Sequence, residues 1–146
     1  AYVWHFQTTP EDQWDYTATQ HMILAELEIE GEQRNVIMQA PKNGFFYVLD
    51  RETGEFISGK NYVPVSWTTG LDPQTGYPDI VPEARYSASG TPFLGMPSPA
   101  GGHLWQPMSF NPNTGLVYFS AMEMPYGYTA VKAEDFVYKP NGWNTG

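Results

Sequence analysis

One turn occurs three times in this chain, as Asp50-Arg51-Glu52-Thr53-Gly54, Asp72-Pro73-Gln74-Thr75-Gly76 and, with Asn leading, Asn111-Pro112-Asn113-Thr114-Gly115. In each, the leading side-chain oxygen is placed to accept hydrogen bonds from backbone amides within the turn, and the closing glycine accepts a positive φ. A turn of this kind joins two antiparallel strands. The copies do not recur at a fixed period, but their repetition suggests a propeller-like repeat architecture built from meanders.

The runs between the turns have β character. Residues 1–7 place Tyr2, Trp4 and Phe6 on one face and Ala1, Val3 and His5 on the other, the period-2 pattern of a strand. Between His21 and Ile29, Leu27 and Ile29 alternate with Glu26, Glu28 and Glu30, which predicts a strand, although Met, Leu, Ala and Glu also suit a helix. The strongest hairpin signal is Asn43-Gly44, set between the β-forming runs 35–40 and 45–49. A further short strand is expected at 55–58, and another at 116–119 after the third turn. Eight of the 13 prolines lie between Pro64 and Pro107, so residues 59–107 read as an excursion with little regular structure, of the kind that carries function or covers a site. The stretch after Ala121 reads as loop, and no second domain is evident within residues 1–146. The predicted class is all-β: antiparallel four-stranded meanders, about two to three blades of a partial β-propeller.

Composition narrows the function. Aromatic residues make up 16% of the chain, a proportion suited to pleated, half-buried surfaces. Seven Lys and Arg against 16 Asp and Glu give a net charge of −9, which argues against nucleic acid, anionic membranes and polyanionic substrates. Without cysteine the chain has no disulfide, thiolate zinc site or thiol nucleophile, and no apolar run approaches a membrane span. It opens on Ala1 with neither an initiator Met nor a signal peptide, which predicts a processed chain or a piece of a longer one.

The carboxylate of Asp15 lies just beyond a Pro-containing turn, between Trp14 and Tyr16. On residue type alone it reads as a turn cap beside a core tryptophan. Three blocks supply more context: Trp4-His5-Phe6-Gln7-Thr8-Thr9-Pro10 with Trp14-Asp15-Tyr16; Met38 through Arg51, containing Pro41-Lys42-Asn43-Gly44; and Gly101-Gly102-His103 with Trp105 and Pro107-Met108-Ser109-Phe110-Asn111-Pro112. Together they resemble the pyrroloquinoline-quinone-dependent alcohol dehydrogenases, in order and through almost the whole chain.

The resemblance implies an eight-bladed propeller of which this chain is an internal fragment, about a quarter, with the quinone and a Ca2+ ion on its axis. It implies that Asp15 is the catalytic base and a possible calcium ligand, that Lys42 hydrogen-bonds the quinone oxygens, and that Trp105 belongs to the cofactor pocket. A core role for Trp105 stays open on bottom-up grounds. The roles are chemically sensible: a carboxylate takes the hydroxyl proton, and a cation stabilises negative charge developing on the reducible carbonyl. Thr17 stands where lanthanide-dependent relatives carry a second Asp, which favours calcium. Leu104 departs from the family's usual Asn before the tryptophan, a residue that contacts the quinone. The implied partners are a small alcohol, a cytochrome c or other electron acceptor and the remaining blades; the implied location is the periplasm. The isolated fragment is expected to be inactive.

The remaining candidates have plainer readings. The three histidines, His5, His21 and His103, lack metal-ligand spacing, and Trp4, Trp14 and Trp67 read as packing residues. Ser87, Ser89 and Ser98 lie outside any nucleophile-elbow motif. The rival reading is a non-catalytic β module that binds carbohydrate or protein through its rings. Asp15 and Lys42 separate the two, since an enzyme needs them in one pocket and a binding module does not.

Overall fold

The three repeated turns close three hairpins in the computed structural model, which describes residues 1–142 and Asn144. At the first, Asp50 Oδ1 accepts from the amides of Glu52 (2.9 Å) and Thr53 (3.0 Å), and Gly54 completes the turn at φ +79°. The second repeats it, with Asp72 accepting from Gln74 (3.1 Å) and Thr75 (2.7 Å) and Gly76 at φ +71°. In the third, Asn111 accepts from Asn113 (3.0 Å), with Gly115 at φ +70°.

Strands β1 (Met22–Ile29), β2 (Glu32–Gln39), β3 (Phe45–Asp50) and β4 (Phe56–Asn61) form one antiparallel sheet in the order β1-β2-β3-β4. The alternation read at 21–29 is that of β1, whose glutamates face solvent while Leu27 and Ile29 are half-buried. Strands β5 (Thr68–Leu71) and β6 (Pro78–Ile80) form a second ladder, and β8 (Ser109–Asn111) and β9 (Leu116–Tyr118) a third. Among the described residues the architecture is all-β and antiparallel, with one complete four-stranded meander and the further strands present as two-stranded ladders.

Three local expectations are corrected. Residues 1–7 form no ladder; their alternation sorts part of the segment, with Trp4 and Phe6 half-buried and Val3 and His5 exposed, but Tyr2, expected on the inward face, is 76% exposed. The segment is held by side chains. Trp4 Nε1 donates to the Arg51 carbonyl (3.0 Å), and Phe6 stacks on Phe56 and Tyr77 with centroids 6.1 and 5.9 Å away. The stretch after Ala121 is not all loop, because β10 (Tyr126–Tyr128) pairs antiparallel with β7 (Phe93–Gly95). Within residues 59–107 lie the β5–β6 hairpin, a 3-10 turn (Pro82–Ala84), a one-turn helix α1 (Tyr86–Ser89) and β7. Among the described residues no helix is long and apolar enough to cross a membrane.

The core is an aromatic cluster of Trp14, Tyr16, Phe45, Tyr47, Trp67 and Tyr128, all buried. Trp67 is its centre, 5.2 Å from Trp14 and 5.5 Å from Tyr16 by ring centroids, with its indole N–H donating to the Asn43 carbonyl (2.9 Å). Burial of large rings whose polar atoms find partners is the main stabilising feature here. It fixes residues 14–16 against the loop between β2 and β3.

Candidate functional site

Trp14 and Tyr16 are buried at 1% and 2% exposure, so the residue between them is turned outward. Asp15 sits there in the left-handed region at φ +64°, a conformation that Asp tolerates better than most residues. The turn cap is Asp12, whose Oδ1 accepts from the Trp14 amide (2.9 Å), and this replaces the capping role read for Asp15. Asp15 is thereby free to act elsewhere.

The preceding loop is gripped by the segment around α1. The Arg85 guanidinium lies 5.2 Å from the Trp14 ring centroid and donates to the carbonyls of Glu11 (2.7 Å) and Pro10 (3.4 Å). Trp14 Nε1 donates to the Ala84 carbonyl (3.1 Å), and the Tyr86 hydroxyl to that of Gln13. Tyr16 donates to the Pro97 carbonyl (2.5 Å), which also accepts from Tyr128 (2.9 Å). Burial pushes both phenols well above the ordinary tyrosine value, so they remain donors throughout the physiological range.

Lys42 is held in the β2–β3 loop between buried Pro41 and Asn43. Asn43 Oδ1 accepts from the Phe45 amide (3.1 Å), while its Nδ2 donates to the Thr8 carbonyl (3.0 Å) and the Tyr47 hydroxyl (2.9 Å). The Gly102 amide donates to the Lys42 carbonyl (2.9 Å), and Gly101 lies so close that a Cβ there would stand 2.5 Å from Lys42 Cγ. His103 is wholly buried, its two ring nitrogens facing the carbonyls of Ala40 (2.7 Å) and Gln106 (2.8 Å). It anchors this loop.

The two segments meet at one ion pair. Lys42 Nζ lies 2.9 Å from Asp15 Oδ2 across 27 residues of sequence, with the lysine side chain 12% exposed and the aspartate 63%. Beside it opens a cleft of about 630 Å3, lined by Asp15 and by rings including Trp14, Tyr86, Tyr126 and Tyr128. Asp15 and Lys42, singled out from sequence, are therefore brought together. Trp105 is 75% exposed, which overturns its reading as a core tryptophan. Arg85, Tyr86 and Tyr128 were not singled out, because nothing local in the sequence marks a residue whose partner lies more than 70 positions away. Among the described residues no three His, Cys, Asp or Glu side chains converge as a metal site.

A four-stranded antiparallel blade followed by further hairpins, with its loops gathered around a charged pair, is propeller architecture. Residues 1–75 match the family described as PQQ, glucose/ethanol/alcohol dehydrogenase, beta-propeller domain, and the chain belongs to this family. It is 52% identical over 145 residues to the dehydrogenase subunit of alcohol dehydrogenase (quinone) from Komagataeibacter europaeus, covering 99% of this chain and 20% of that one. The solved quinohemoprotein alcohol dehydrogenase ADHIIG from Pseudomonas putida HK5 is 60% identical and superposes with a TM-score of 0.86, covering 89% of this chain and 19% of that one. A europium-containing methanol dehydrogenase superposes with a TM-score of 0.72 at 34% identity, covering 79% of this chain and 20% of that one. The chain spans about a fifth of the length of these relatives.

Proposed function

We propose that this chain is the part of a quinone-dependent alcohol dehydrogenase that carries the proton-accepting carboxylate, Asp15, and one quinone contact, Lys42. The observation that carries the reading is the Asp15–Lys42 contact at 2.9 Å, made by loops 27 residues apart, with Asp15 lining an aromatic-walled cleft. A module that binds through its rings alone has no use for that convergence.

The residues fit the cofactor. A largely desolvated ammonium paired with a carboxylate that lines an aromatic-walled cleft suits an anionic, flat quinone, and when bound the quinone would supply the two-electron acceptor that these side chains lack. Lys42 would hold it by donating hydrogen bonds from an already packed stem. Asp15 is the proton acceptor: its carboxylate is exposed enough to meet an alcohol hydroxyl, and Lys42 keeps it oriented. The aromatic walls of the cleft offer an apolar surface to the carbon chain. Toward a metal this chain offers the Asp15 carboxylate, too few oxygens for the six to eight that Ca2+ takes, so the other ligands belong to the rest of the propeller. Thr17 supports calcium, because a trivalent ion gains from a further carboxylate at that position. The reading carries with it a periplasmic enzyme that passes electrons to a cytochrome c or other acceptor.

The test is Asp15→Asn in the full-length protein carrying this sequence. Asn keeps the left-handed backbone and the shape but cannot take a proton, so dye-linked alcohol oxidation should fall by about 10²–10⁴-fold while quinone content is unchanged. Activity within a few-fold of the parent would reject Asp15 as the base.

A further inference from the structure

We propose that Tyr16 and Tyr128 are positioning residues that set the spacing of Asp15 and Lys42 by sharing one acceptor, the carbonyl of Pro97. The proposal rests on the reading of Asp15 as the base. Both phenols are buried, at 2% and 3% exposure; they donate to Pro97 O at 2.5 and 2.9 Å, and their oxygens lie 3.4 Å apart. A carbonyl oxygen has two lone pairs, and here both are used.

What this junction connects gives it its role. On one side Tyr16 is covalently next to Asp15. On the other, Pro97 begins the loop in which the Gly101 amide donates to Ser98 O (2.7 Å), and that loop carries Gly101 and Gly102 onto Lys42. Tyr128 belongs to β10, whose partner β7 ends at Gly95, just before Pro97, with Tyr128 opposite Phe93. The path Asp15–Tyr16–Pro97–Gly101–Lys42 therefore closes a ring whose other link is the ion pair itself. Two donors on one acceptor make the junction redundant: either phenol alone still satisfies the buried carbonyl. Losing both leaves it unpaired and frees the Asp15 segment from the loop beneath Lys42.

The experiment compares Tyr16→Phe, Tyr128→Phe and the double variant in the full-length, quinone-loaded protein, with Asp15→Asn alongside. Phe keeps the rings and their stacking, so the fold is retained. Each single variant should lose less than about fivefold in kcat, because the remaining phenol still satisfies the carbonyl and the full worth of a buried hydrogen bond is not forfeited. The double variant should lose about 10²-fold, more than the product of the singles, because misplacement of the order of 1 Å carries that cost. KM and quinone content should not move, whereas a purely structural role would lower loading and melting temperature and leave kcat per loaded site alone. A crystal structure of the quinone-free double variant should show Asp15 Oδ2 and Lys42 Nζ beyond hydrogen-bond reach. A double variant that keeps the 2.9 Å contact, or whose kcat loss is no greater than the product of the singles, overturns the proposal. If Asp15→Asn retains activity, the base reading fails, and the crystallographic distance still decides whether the junction sets the spacing.

Discussion

Replacing Gly101 by alanine should damage the protein more than the loss of a flexible residue can explain, and the structure separates the two costs. Gly101 stands at φ +83°, where any side chain costs about 1–2 kcal/mol. Its Cβ would also stand 2.5, 2.6 and 2.8 Å from Cγ, Cβ and Cα of Lys42, and the last of these is backbone that cannot swing aside. Overpacking of that kind costs about 1–3 kcal/mol, for a combined loss of about 2–5 kcal/mol. Gly90 provides the control: its φ is +68°, yet a Cβ there would meet nothing within 4 Å. Gly90→Ala should therefore show the backbone cost alone. Denaturant titrations of the two variants in the full-length protein, followed by tryptophan fluorescence, should differ by about the steric 1–3 kcal/mol. Quinone affinity should drop in Gly101→Ala only, because that substitution pushes on Lys42. Equal losses in the two variants, or an unshifted Lys42 in a Gly101→Ala crystal structure, would refute the claim that Gly101 seats the lysine.

Arg85→Met should destabilise the 10–16 loop by about 2 kcal/mol through loss of the contact with Trp14 and of the bonds to the Glu11 and Pro10 carbonyls, read as faster hydrogen exchange at the Trp14 and Tyr16 amides. Arg85→Lys should rescue little, since an ammonium cannot stack and span both carbonyls; full rescue would contradict the assignment. At the second repeated turn, bonds from the Thr75 hydroxyl and amide hold the Asp72 carboxyl below its ordinary value of 3.8. A carboxyl lowered in the folded state stabilises fully above 3.8, and that contribution is lost as pH falls through the lowered value. Thr75→Val should bring the Asp72 midpoint in an NMR titration back toward 3.8, and a midpoint that stays put would rule out the hydroxyl as the main cause.

The turns and the four-stranded sheet were legible because their determinants are local. Asp50, Asp72 and Asn111 each bond amides two or three residues on, and Gly54, Gly76 and Gly115 carry the positive φ. Residues 1–7 show where such reading stops. Alternation reports which side chains face the interior, and it does so correctly for Trp4 and Phe6, but it is silent on whether a ladder neighbour exists. The pairing of β10 with β7 was invisible for the same reason, as their partnership spans some thirty residues without a short turn. At the site, Asp15 and Lys42 came from family resemblance, since a separation of 27 residues implies no proximity by itself. The choice between Asp12 and Asp15 as the cap needed the direction of the Trp14 amide. The exposure of Trp105 was not legible, because a large ring predicts burial and this one stands 75% exposed.

The left-handed backbone at position 15 has a consequence for how the site can be lost. Only Asp, Asn and Gly occupy that conformation cheaply, and of these only Asp accepts a proton near neutral pH. The replacements best tolerated by the fold are thus the ones that silence the proposed chemistry. A library screened for yield or thermal resistance would drift to Asn or Gly at this position without any signal of damage. Only screening for turnover would keep the carboxylate, so soundness of the scaffold and competence of the site are under separate selection at this one residue.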